Sequence, residues 1–544
     1  MLLLLFLFSV LNSGLVLSSN SQYASVTYND RTREFTIHDT YVQNSVANGS
    51  FKDEIFKTGW SYLEVNTDVN YPDPVQAYAA GVVEGYLTAP VLKNHWTNMA
   101  ADYCNGEEAY CDRLKSFLED NLAFININVE TKRFRNEYWH QVALILEQLH
   151  GIEDGFRNIT SNPSTSVDVM GLYFLNLVGD LIGLEEKLQK KEIKRPFGSG
   201  SCSALIKILP KKDIFFSHVT WTNYNSMLRI LKKYSFQYHS ALFEGAPLIP
   251  GHTYSFSSYP GLVFSLDDFY LISSGLAVME TSLENTNTTL WQYIRPSTIL
   301  EFQRTIIANR LAKNGQQWTD IFSIMNSGTY NNQWMVLNYN KFQPNQPLQD
   351  GLLYVLEQLP NYIHSEEKTD VLRKQGFWSS YNVAYYEDIF NMSGAPENVK
   401  KYGDFFTHDK SPRALIFKRD QSNVTDIDSM MKLMRYNDYT NDPHSRCDCN
   451  PPYSADCAIS ARNDLNPANG TYPFESLGHS QEGGTDMKLT TYQLFQKLQF
   501  VAIGGPTYDP LPPFQWSKSD FRKTVKHEGH PDLWKFKPII HKWT

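Results

Sequence analysis

Three widespread catalytic motifs are absent from this sequence. It contains no Gly-x-Ser-x-Gly elbow, no Gly-x-x-x-x-Gly-Lys-Ser/Thr loop and no His-Glu-x-x-His motif. These motifs present a nucleophilic serine, cradle a phosphate and hold a catalytic zinc ion, respectively. Their absence argues against the usual serine esterases, nucleotide hydrolases and zinc proteases. The pair His527 and His530 has no third ligand nearby in the sequence, so we predict no metal site and no cofactor.

An excess of positive charge is also lacking. The chain has 49 Lys and Arg against 58 Asp and Glu, which gives a formal net charge of −9. This balance offers no electrostatic reason to expect nucleic acid as a partner. The 544 residues, 42% of them hydrophobic and 20% charged, are typical of a globular protein with a large core and more than one domain.

Long apolar runs are confined to the N-terminus. Residues 1–18 open with Met-Leu-Leu-Leu-Leu-Phe-Leu-Phe, but Asn12-Ser13-Gly14 interrupts the run before it is long enough to span a membrane. We predict a signal peptide over 1–18 and no transmembrane anchor, with an uncleaved anchor as the alternative. Six Asn-x-Ser/Thr sequons favour a glycosylated lumenal or extracellular protein. They are Asn48, Asn158, Asn287, Asn391, Asn423 and Asn469.

Cysteine is scarce, with six residues in the chain. Cys104 and Cys111 bracket a short loop that a disulfide could close, as expected in an oxidising compartment. Three further cysteines lie close together in the sequence, namely Cys447, Cys449 and Cys457. One disulfide is expected among them, and the spacing does not show which two form it. Two such bridges leave two unpaired thiols, and Cys202 is remote from both clusters. A buried core thiol is the conventional interpretation of Cys202, and a reactive thiol is the alternative.

The chain around Cys202 predicts a flexible loop that enters a strand. Gly198-Ser199-Gly200-Ser201 precedes it, and an apolar run over 204–209 follows. Residues 210–213 carry turn signals, so a hairpin to a second strand over 214–221 is expected. The charged stretch 185–195 predicts an exposed segment that proteases could cut.

The rest of the chain mixes helical and strand patterns without tandem repeats. Apolar spacing predicts helices over 74–87, 114–129 and 135–152, and a helix from Asn225 to about Phe236. Intermingled strands and helices predict an α+β architecture of stacked sheets flanked by helices.

Three polar clusters could supply chemistry beside Cys202. Residues 217–223 include His218 and Trp221, and residues 326–332 supply amides of the kind that stabilise an oxyanion. Residues 460–465 bring Arg462 and Asp464 together. Each cluster has a structural alternative, namely a core histidine, a turn and a salt bridge.

One mechanism connects these clusters to the isolated cysteine. If the bond between Ser201 and Cys202 breaks, Cys202 acquires a free α-amine with a reference pKa of about 7.7–8.0. Such an amine can act as the general base for the thiol of the same residue. The nucleophile and its base would then belong to one residue, and Gly198–Ser201 would be a scissile linker.

Several stretches resemble motifs of the phospholipase B-like family. They are Cys202-Ser-Ala-Leu-Ile-Lys, His218-Val-Thr-Trp-Thr-Asn-Tyr-Asn-Ser-Met-Leu-Arg, Asn326-Ser-Gly-Thr-Tyr-Asn-Asn-Gln-Trp-Met and Ser460-Ala-Arg-Asn-Asp-Leu. The family comprises lysosomal or secreted glycoproteins among the N-terminal nucleophile hydrolases. The resemblance implies a four-layer αββα sandwich and autocatalytic cleavage between Ser201 and Cys202. It also implies that fragment 19–201 stays packed on the catalytic fragment 202–544.

The polar clusters and this resemblance together predict roles for individual residues. Cys202 is the nucleophile, Asn332 or Asn331 binds the oxyanion, and the substrate side comprises His218, Trp221, Thr329, Arg462 and Asp464, with Arg462 or Asp464 orienting the amine. The implied reaction is hydrolysis of an ester or amide bond in a lipid or other small molecule. Alternatives are a non-peptide amidase of the same fold and a lumenal lipid-binding protein with a relict site.

Overall fold

The structure is a computed structural model that describes residues 21–159, 169–191 and 202–544. The predicted signal peptide, and Ser201 with the glycine-rich residues before it, lie outside these ranges. Within them, no helix combines the length and apolar character needed to cross a membrane.

Among the described residues, the strands lie in two parts of the chain, one over 22–67 and the other from Cys202 onwards. They are β1 Gln22–Asn29, β2 Glu34–His38, β3 Ala47–Glu54, β4 Trp60–Thr67, β5 Cys202–Leu209, β6 Asp213–Asn223, β7 Ile230–Ser235, β8 Thr253–Ser258, β9 Phe269–Ile272, β10 Leu276–Ser282, β11 Asn332–Asn338, β12 Leu353–Leu359, β13 Tyr362–Glu367, β14 Phe377–Ser380, β15 Glu482–Gly484, β16 Asp486–Thr490, β17 Val501–Gly504, β18 Phe514–Gln515, β19 Leu533–Trp534 and β20 Ile539–Ile540.

The longest helices lie in the first third of the chain. The α-helices are α1 Ile55–Thr58, α2 Asp73–Met99, α3 Glu108–Lys132, α4 Glu137–Ile159, α5 Val169–Asn176, α6 Leu181–Lys187, α7 Glu301–Leu311, α8 Gly315–Ser323, α9 Thr369–Gln375, α10 Glu387–Met392, α11 Ala395–Tyr402, α12 Pro412–Asp420, α13 Ile427–Met434 and α14 Tyr492–Phe495.

Two sheets are stacked between helical layers. The larger sheet has 11 strands in the order β13-β12-β11-β10-β9-β8-β7-β4-β3-β1-β2, and the smaller follows the order β14-β5-β6-β16-β17-β20 with β15 beside β6. Helices α2, α4, α7 and α8 bury one face of the larger sheet. Its other face packs on the smaller sheet through a mainly aliphatic core. Helices α12 and α13 cover the outer face of the smaller sheet, which completes four layers.

The N-terminal segment is part of the larger sheet. Strand β4 pairs with β7 in parallel, from Ser61 opposite Ile230 to Asn66 opposite Ser235, whereas the other strand pairs are antiparallel. Residues on the two sides of Cys202 therefore share one hydrogen-bonded sheet. The predicted stacked sheets with flanking helices are confirmed.

Several local predictions need correction. The helix expected from Asn225 to Phe236 is a short 3-10 turn at Tyr224–Ser226 followed by β7. Its apolar residues Met227, Leu228, Ile230 and Leu231 matched a helical spacing, but so short a group does not separate a helix from a strand, and pairing with β4 and β8 decides for the strand. The charged segment 185–195 begins inside α6, and its Lys190 is buried rather than exposed.

Lys190 is buried because other groups satisfy its charge. Its ammonium bonds the carboxylate of Glu185 at 2.5 Å and lies 3.8 Å from the ring centre of Tyr103. The guanidinium of Arg113 donates to the carbonyls of Leu188 and Gln189 at 2.9 and 3.0 Å. These contacts fix the last described residues before the linker.

Four cysteines form disulfides in the structure. Cys104 pairs with Cys111, and Cys447 pairs with Cys449. Cys202 and Cys457 are free and buried. Disulfides are consistent with a secreted or lumenal protein.

Candidate active site

The hairpin of β5 and β6 determines what Cys202 faces. Cys202 is the first residue of β5 and lies opposite Thr220, and Ala204 lies opposite His218. Opposed residues and residues two apart share a face of a sheet, so Cys202, Thr220 and His218 point the same way. Ala204 packs in the core between the two sheets. The thiol therefore faces the space between the sheets.

Three side chains with reactive heteroatoms meet there. The Cys202 sulfur, a ring nitrogen of His218 and a carboxylate oxygen of Glu280 lie within 4.8 Å of one another, and all three residues are buried. The Nε2 atom of His218 lies 2.9 Å from the carbonyl oxygen of Glu280. Burial, reinforced by the charge of Lys488, lowers the pKa of His218 well below its usual value, so the ring is neutral. Nε2 therefore donates, and Nδ1, which has no partner among the described residues, carries the lone pair.

A buried ion network borders this group. The Lys488 ammonium lies 2.8 Å from a carboxylate oxygen of Asp486, and a guanidinium nitrogen of Arg229 lies 2.8 Å from the same carboxylate. Burial lowers the pKa of Lys488 to about 8 against the opposing effect of Asp486. Burial alone would raise the pKa of Asp486, but Lys488 and Arg229 lower it to about 2. Arg229 also pairs with Asp267, whose carboxylate accepts from the Tyr259 hydroxyl at 2.6 Å.

The thiol of Cys202 is protonated in these surroundings. Burial and the charge of Glu280 raise its pKa well above the usual value, although Lys488 and the backbone N–H of Trp221 act in the opposite direction. A thiol is a poor nucleophile until it loses its proton. Catalysis at this sulfur requires a base that acts directly on it.

Arg413 is the contact that sequence reasoning missed. One guanidinium nitrogen of this α12 residue donates to the carbonyl of Cys202 at 2.6 Å and to the hydroxyl of Ser203 at 3.3 Å. Its guanidinium lies 4.3 Å from the centre of the Trp221 ring. Burial lowers the pKa of Arg413 to about 10, which still leaves it cationic at neutral pH. The contact spans 211 residues, so no local pattern pointed to it.

Glu280 was missed for a related reason. It lies on β10 in the larger sheet, whereas Cys202 and His218 lie on the smaller one. Its carboxylate accepts from the Tyr330 hydroxyl at 3.1 Å. Residues 275–280 show only the pattern of a strand, so nothing in the sequence marks Glu280 as a functional residue.

Trp221 lies on the outer face of β6. Its ring packs with Leu205 and Val219 against α12 and α13, and its indole N–H donates to the carbonyl of Ile459 at 3.2 Å. It also lines a cavity of about 560 Å³, together with Thr222 of the strand edge. The Trp221 side chain is therefore fixed by the apolar cluster between the smaller sheet and helices α12 and α13. Its interaction with the Cys202 thiol is made by its backbone N–H.

The two asparagines proposed for the oxyanion occupy different surroundings. Asn332 begins β11 opposite Ser282 and is fully buried, and neither atom of its amide has a partner among the described residues. Asn331 lines a separate cavity of about 340 Å³ with Ser282 and Tyr330. Asn332 can therefore offer an amide N–H to a ligand, and Asn331 lies at the wall of a cavity that could hold one.

The other predicted substrate residues are engaged elsewhere. The Thr329 hydroxyl contacts Asp180 and lies 2.6 Å from the Ser327 hydroxyl. The guanidinium of Arg462 donates two hydrogen bonds of 2.8 Å to the carboxylate of Asp464. It also donates to the backbone carbonyls of Thr507 and Pro512. These contacts favour the structural salt bridge for Arg462 and Asp464.

Helix α6 separates the two cavities. Ile182 and Glu185 line both of them. One part of the larger cavity's wall is apolar and includes Phe174, Leu175 and Leu181, and the rest includes charged residues such as Lys190 and Lys526. The smaller one is bordered by polar groups, among them Glu284, Asn285 and Thr286. An amphiphilic molecule would find both apolar and polar surroundings within reach of α6.

Known proteins resemble this chain along nearly its full length. Residues 47–541 match the family described as Phospholipase B. A human protein named "Putative phospholipase B-like 2" is 47% identical over 509 residues, which cover 92% of this chain and 86% of the human protein. The Dictyostelium discoideum protein named "Phospholipase B-like protein B" is 36% identical over 515 residues, covering 92% of this chain and 86% of that protein.

Proposed function

Because this chain belongs to the phospholipase B family, as the sequence motifs predicted, we propose that it is a hydrolase whose nucleophile is Cys202. One observation carries the proposal. Cys202 is a free, buried thiol at the first residue of a strand, and it faces the polar group formed by His218 and Glu280. A core thiol would ordinarily face apolar side chains.

The proposed maturation step is cleavage between Ser201 and Cys202, within the N-terminal nucleophile hydrolase fold. The Cys202 sulfur attacks the carbonyl carbon of Ser201 and gives up its proton. The peptide C–N bond breaks, and the nitrogen becomes the α-amine of Cys202. Water then hydrolyses the thioester, which leaves a carboxylate on Ser201 and restores the thiol. The neutral His218, within 4.8 Å of the sulfur, is a candidate base for this step.

The mature site then hydrolyses an acyl bond. The α-amine takes the thiol proton, the thiolate attacks the acyl carbonyl, and an amide N–H of Asn332 or Asn331 stabilises the oxyanion. The amine returns the proton to the departing alcohol or amine, and water releases the acid from the thioester. Arg413 acts as a positioning residue because its guanidinium, on helix α12, holds the carbonyl of Cys202 through a hydrogen bond.

The proposed substrate is a lipid with an ester- or amide-linked acyl chain. The apolar wall of the 560 Å³ cavity, which includes Phe174 and Leu175, suits the chain. The proposed location is the lysosome or the extracellular space, with the two fragments 19–201 and 202–544 held together. The shared sheet across β4 and β7 supports their lasting association.

The decisive experiment is mass spectrometry of the N-termini of the purified protein, combined with an acyl-release assay. We expect a fragment that begins with Cys202, and fatty acid release from an ester, an amide or both. A fully active protein with an intact Ser201–Cys202 bond would overturn the mechanism. Correct cleavage without release from either class of lipid would favour a binding protein with a relict site.

A further inference from the structure

The group formed by Cys202, His218 and Glu280 has the composition of a metal site. Its three donor atoms lie within 4.8 Å of one another, and it is the one such group found among the described residues. The side chains come from two strands of the smaller sheet and one strand of the larger sheet, so stacked layers fix their positions. The Nδ1 atom of the fully buried His218 has no partner among the described residues.

The donor types select the class of ion. Thiolate sulfur, imidazole nitrogen and carboxylate oxygen are the ligands that Zn²⁺ binds in proteins, with bonds of about 2.0–2.3 Å. Tetrahedral coordination at those lengths separates the donors by about 3.3–3.8 Å. The three donors, which lie within 4.8 Å of one another, therefore need to approach by at most about 1–1.5 Å, and side-chain rotation can supply such a shift.

Cleavage before Cys202 would add a fourth donor. An N-terminal cysteine offers its α-amine and its thiolate to one ion, and the two close a five-membered chelate ring. We propose that the mature protein binds one Zn²⁺ through the Cys202 amine and thiolate, His218 and Glu280, and that this ion blocks the nucleophile. The fourth donor rests on the proposed maturation, whereas the other three are present in the uncut chain.

The surroundings support a divalent ion despite two nearby cations. Lys488 and Arg229 are each paired with buried carboxylates, namely Asp486 for both and Asp267 for Arg229. The Tyr330 hydroxyl donates to the carboxylate of Glu280 and orients it, as outer groups do in known metal sites. Binding releases the thiol proton to solvent, together with the amine proton where the amine is charged.

Cobalt(II) provides a direct probe, because a thiolate bound to Co²⁺ gives a charge-transfer absorption band. Titration of the mature wild-type protein with Co²⁺ should give this band at one equivalent, and Zn²⁺ should displace it. Cys202→Ser should abolish the band. His218→Gln and Glu280→Gln should each weaken binding roughly tenfold or more. Cys457→Ala removes the other buried free thiol and should leave the titration unchanged.

The readouts keep this proposal separate from the hydrolase proposal. At one fixed Zn²⁺ concentration, the thermal midpoint should also rise in the wild type and in Cys457→Ala, and it should rise less in Glu280→Gln, which retains the thiol. Absence of a saturable band in the wild type, or a band indifferent to His218→Gln and Glu280→Gln, would overturn the metal site. Failure of acyl release leaves the cobalt titration intact, and failure of metal binding leaves acyl release intact.

Discussion

Two buried thiols in this protein have nearly equal exposure and opposite neighbours. Cys202 is 1% exposed and Cys457 is 2% exposed, and burial raises the pKa of both. Cys202 faces His218, Glu280 and the Lys488 network between the sheets. Cys457 packs in a cluster of apolar and aromatic residues that includes Phe406 and Phe474. Equal burial thus leaves the two thiols in different surroundings, and the sulfur of Cys202 has the ring of His218 and the carboxylate of Glu280 close to it.

The aspartates beside the two thiols repeat this contrast. Asp486, near Cys202, faces two cations that hold its pKa at about 2. Asp456, adjacent to Cys457, is dominated by burial, which raises its pKa to about 6 although Arg413 and Asn463 act in the opposite direction. Near Cys202, the buried carboxylate of Asp486 is stabilised in its ionised form by two cations. Near Cys457, burial makes the ionised form of Asp456 less stable than it is in water.

The largest expected effect separates the thiols themselves. Cys202→Ala should abolish cleavage at Ser201–Cys202 and reduce acyl release by about 10⁴-fold or more, because the nucleophile is lost. Cys457→Ala should be cleaved and active like the wild type. Gel analysis of the fragments and acyl-release rates measure both effects. Equal loss in the two variants would indicate that both act through folding.

The second prediction concerns the ion network beside Cys202. Asp486→Asn should destabilise the protein by about 3–5 kcal/mol, because it leaves Lys488 and Arg229 buried without their shared carboxylate. Urea unfolding at neutral pH measures the loss. The folded pKa of Asp486 lies below its unfolded value of 3.8, so its stabilisation is complete above pH 3.8 and is lost as the pH falls towards 2. A loss of stability that stayed constant down to pH 2 would contradict this assignment.

The third prediction tests the residue that lies between the two regions. Arg413→Met should cost about 1.5–3 kcal/mol, because the carbonyl of Cys202 loses a charged hydrogen-bond donor. It should also slow cleavage, since that carbonyl is fixed less firmly, and it should raise the pKa of Asp456 further by removing a nearby cation. Arg413→Lys serves as the matched control because it keeps the charge. If Arg413→Lys is cleaved at the wild-type rate, the slow cleavage of Arg413→Met results from loss of the cation and its hydrogen bond rather than from altered packing.

The smallest effect is expected at Asp456. Its folded pKa of about 6 lies above the unfolded value of 3.8, so ionisation near neutral pH opposes folding and the penalty is relieved as the pH falls through 6 towards 3.8. This group should make the wild type about 1 kcal/mol more stable at pH 5 than at pH 7. Asp456→Asn should lack that increment while keeping the side-chain shape. Thermal unfolding of both proteins at the two pH values checks it, and identical pH dependence would contradict it.

The sequence predicted more of the fold near Cys202 than farther along the chain. The hairpin of β5 and β6 was expected because turn residues at 210–213 separate two apolar runs, and both strands form. Strand β7 was mistaken for a helix because its apolar residues are too few to separate the two patterns, and two lysines follow Ile230 and Leu231. Its assignment depends on β4, which lies more than 160 residues earlier in the chain.

The candidate site was predicted in part. His218 lies beside Cys202 because the hairpin register, a local property, puts it there. Arg462 and Asp464 form the salt bridge that sequence analysis had kept as the alternative. Glu280 and Arg413 gave no local signal, since each reaches Cys202 from another layer.

The sequence by itself determined the family, the isolated cysteine behind a glycine- and serine-rich run, and the strand that begins at that cysteine. These features are encoded in contiguous residues. Only the tertiary structure decided that the Cys202 thiol meets the side chains of His218 and Glu280 while Cys457 packs among aromatic residues, because packing one sheet on another brings Glu280 to Cys202. The surroundings of Cys202 depend on the stacking of layers, which local sequence patterns do not encode.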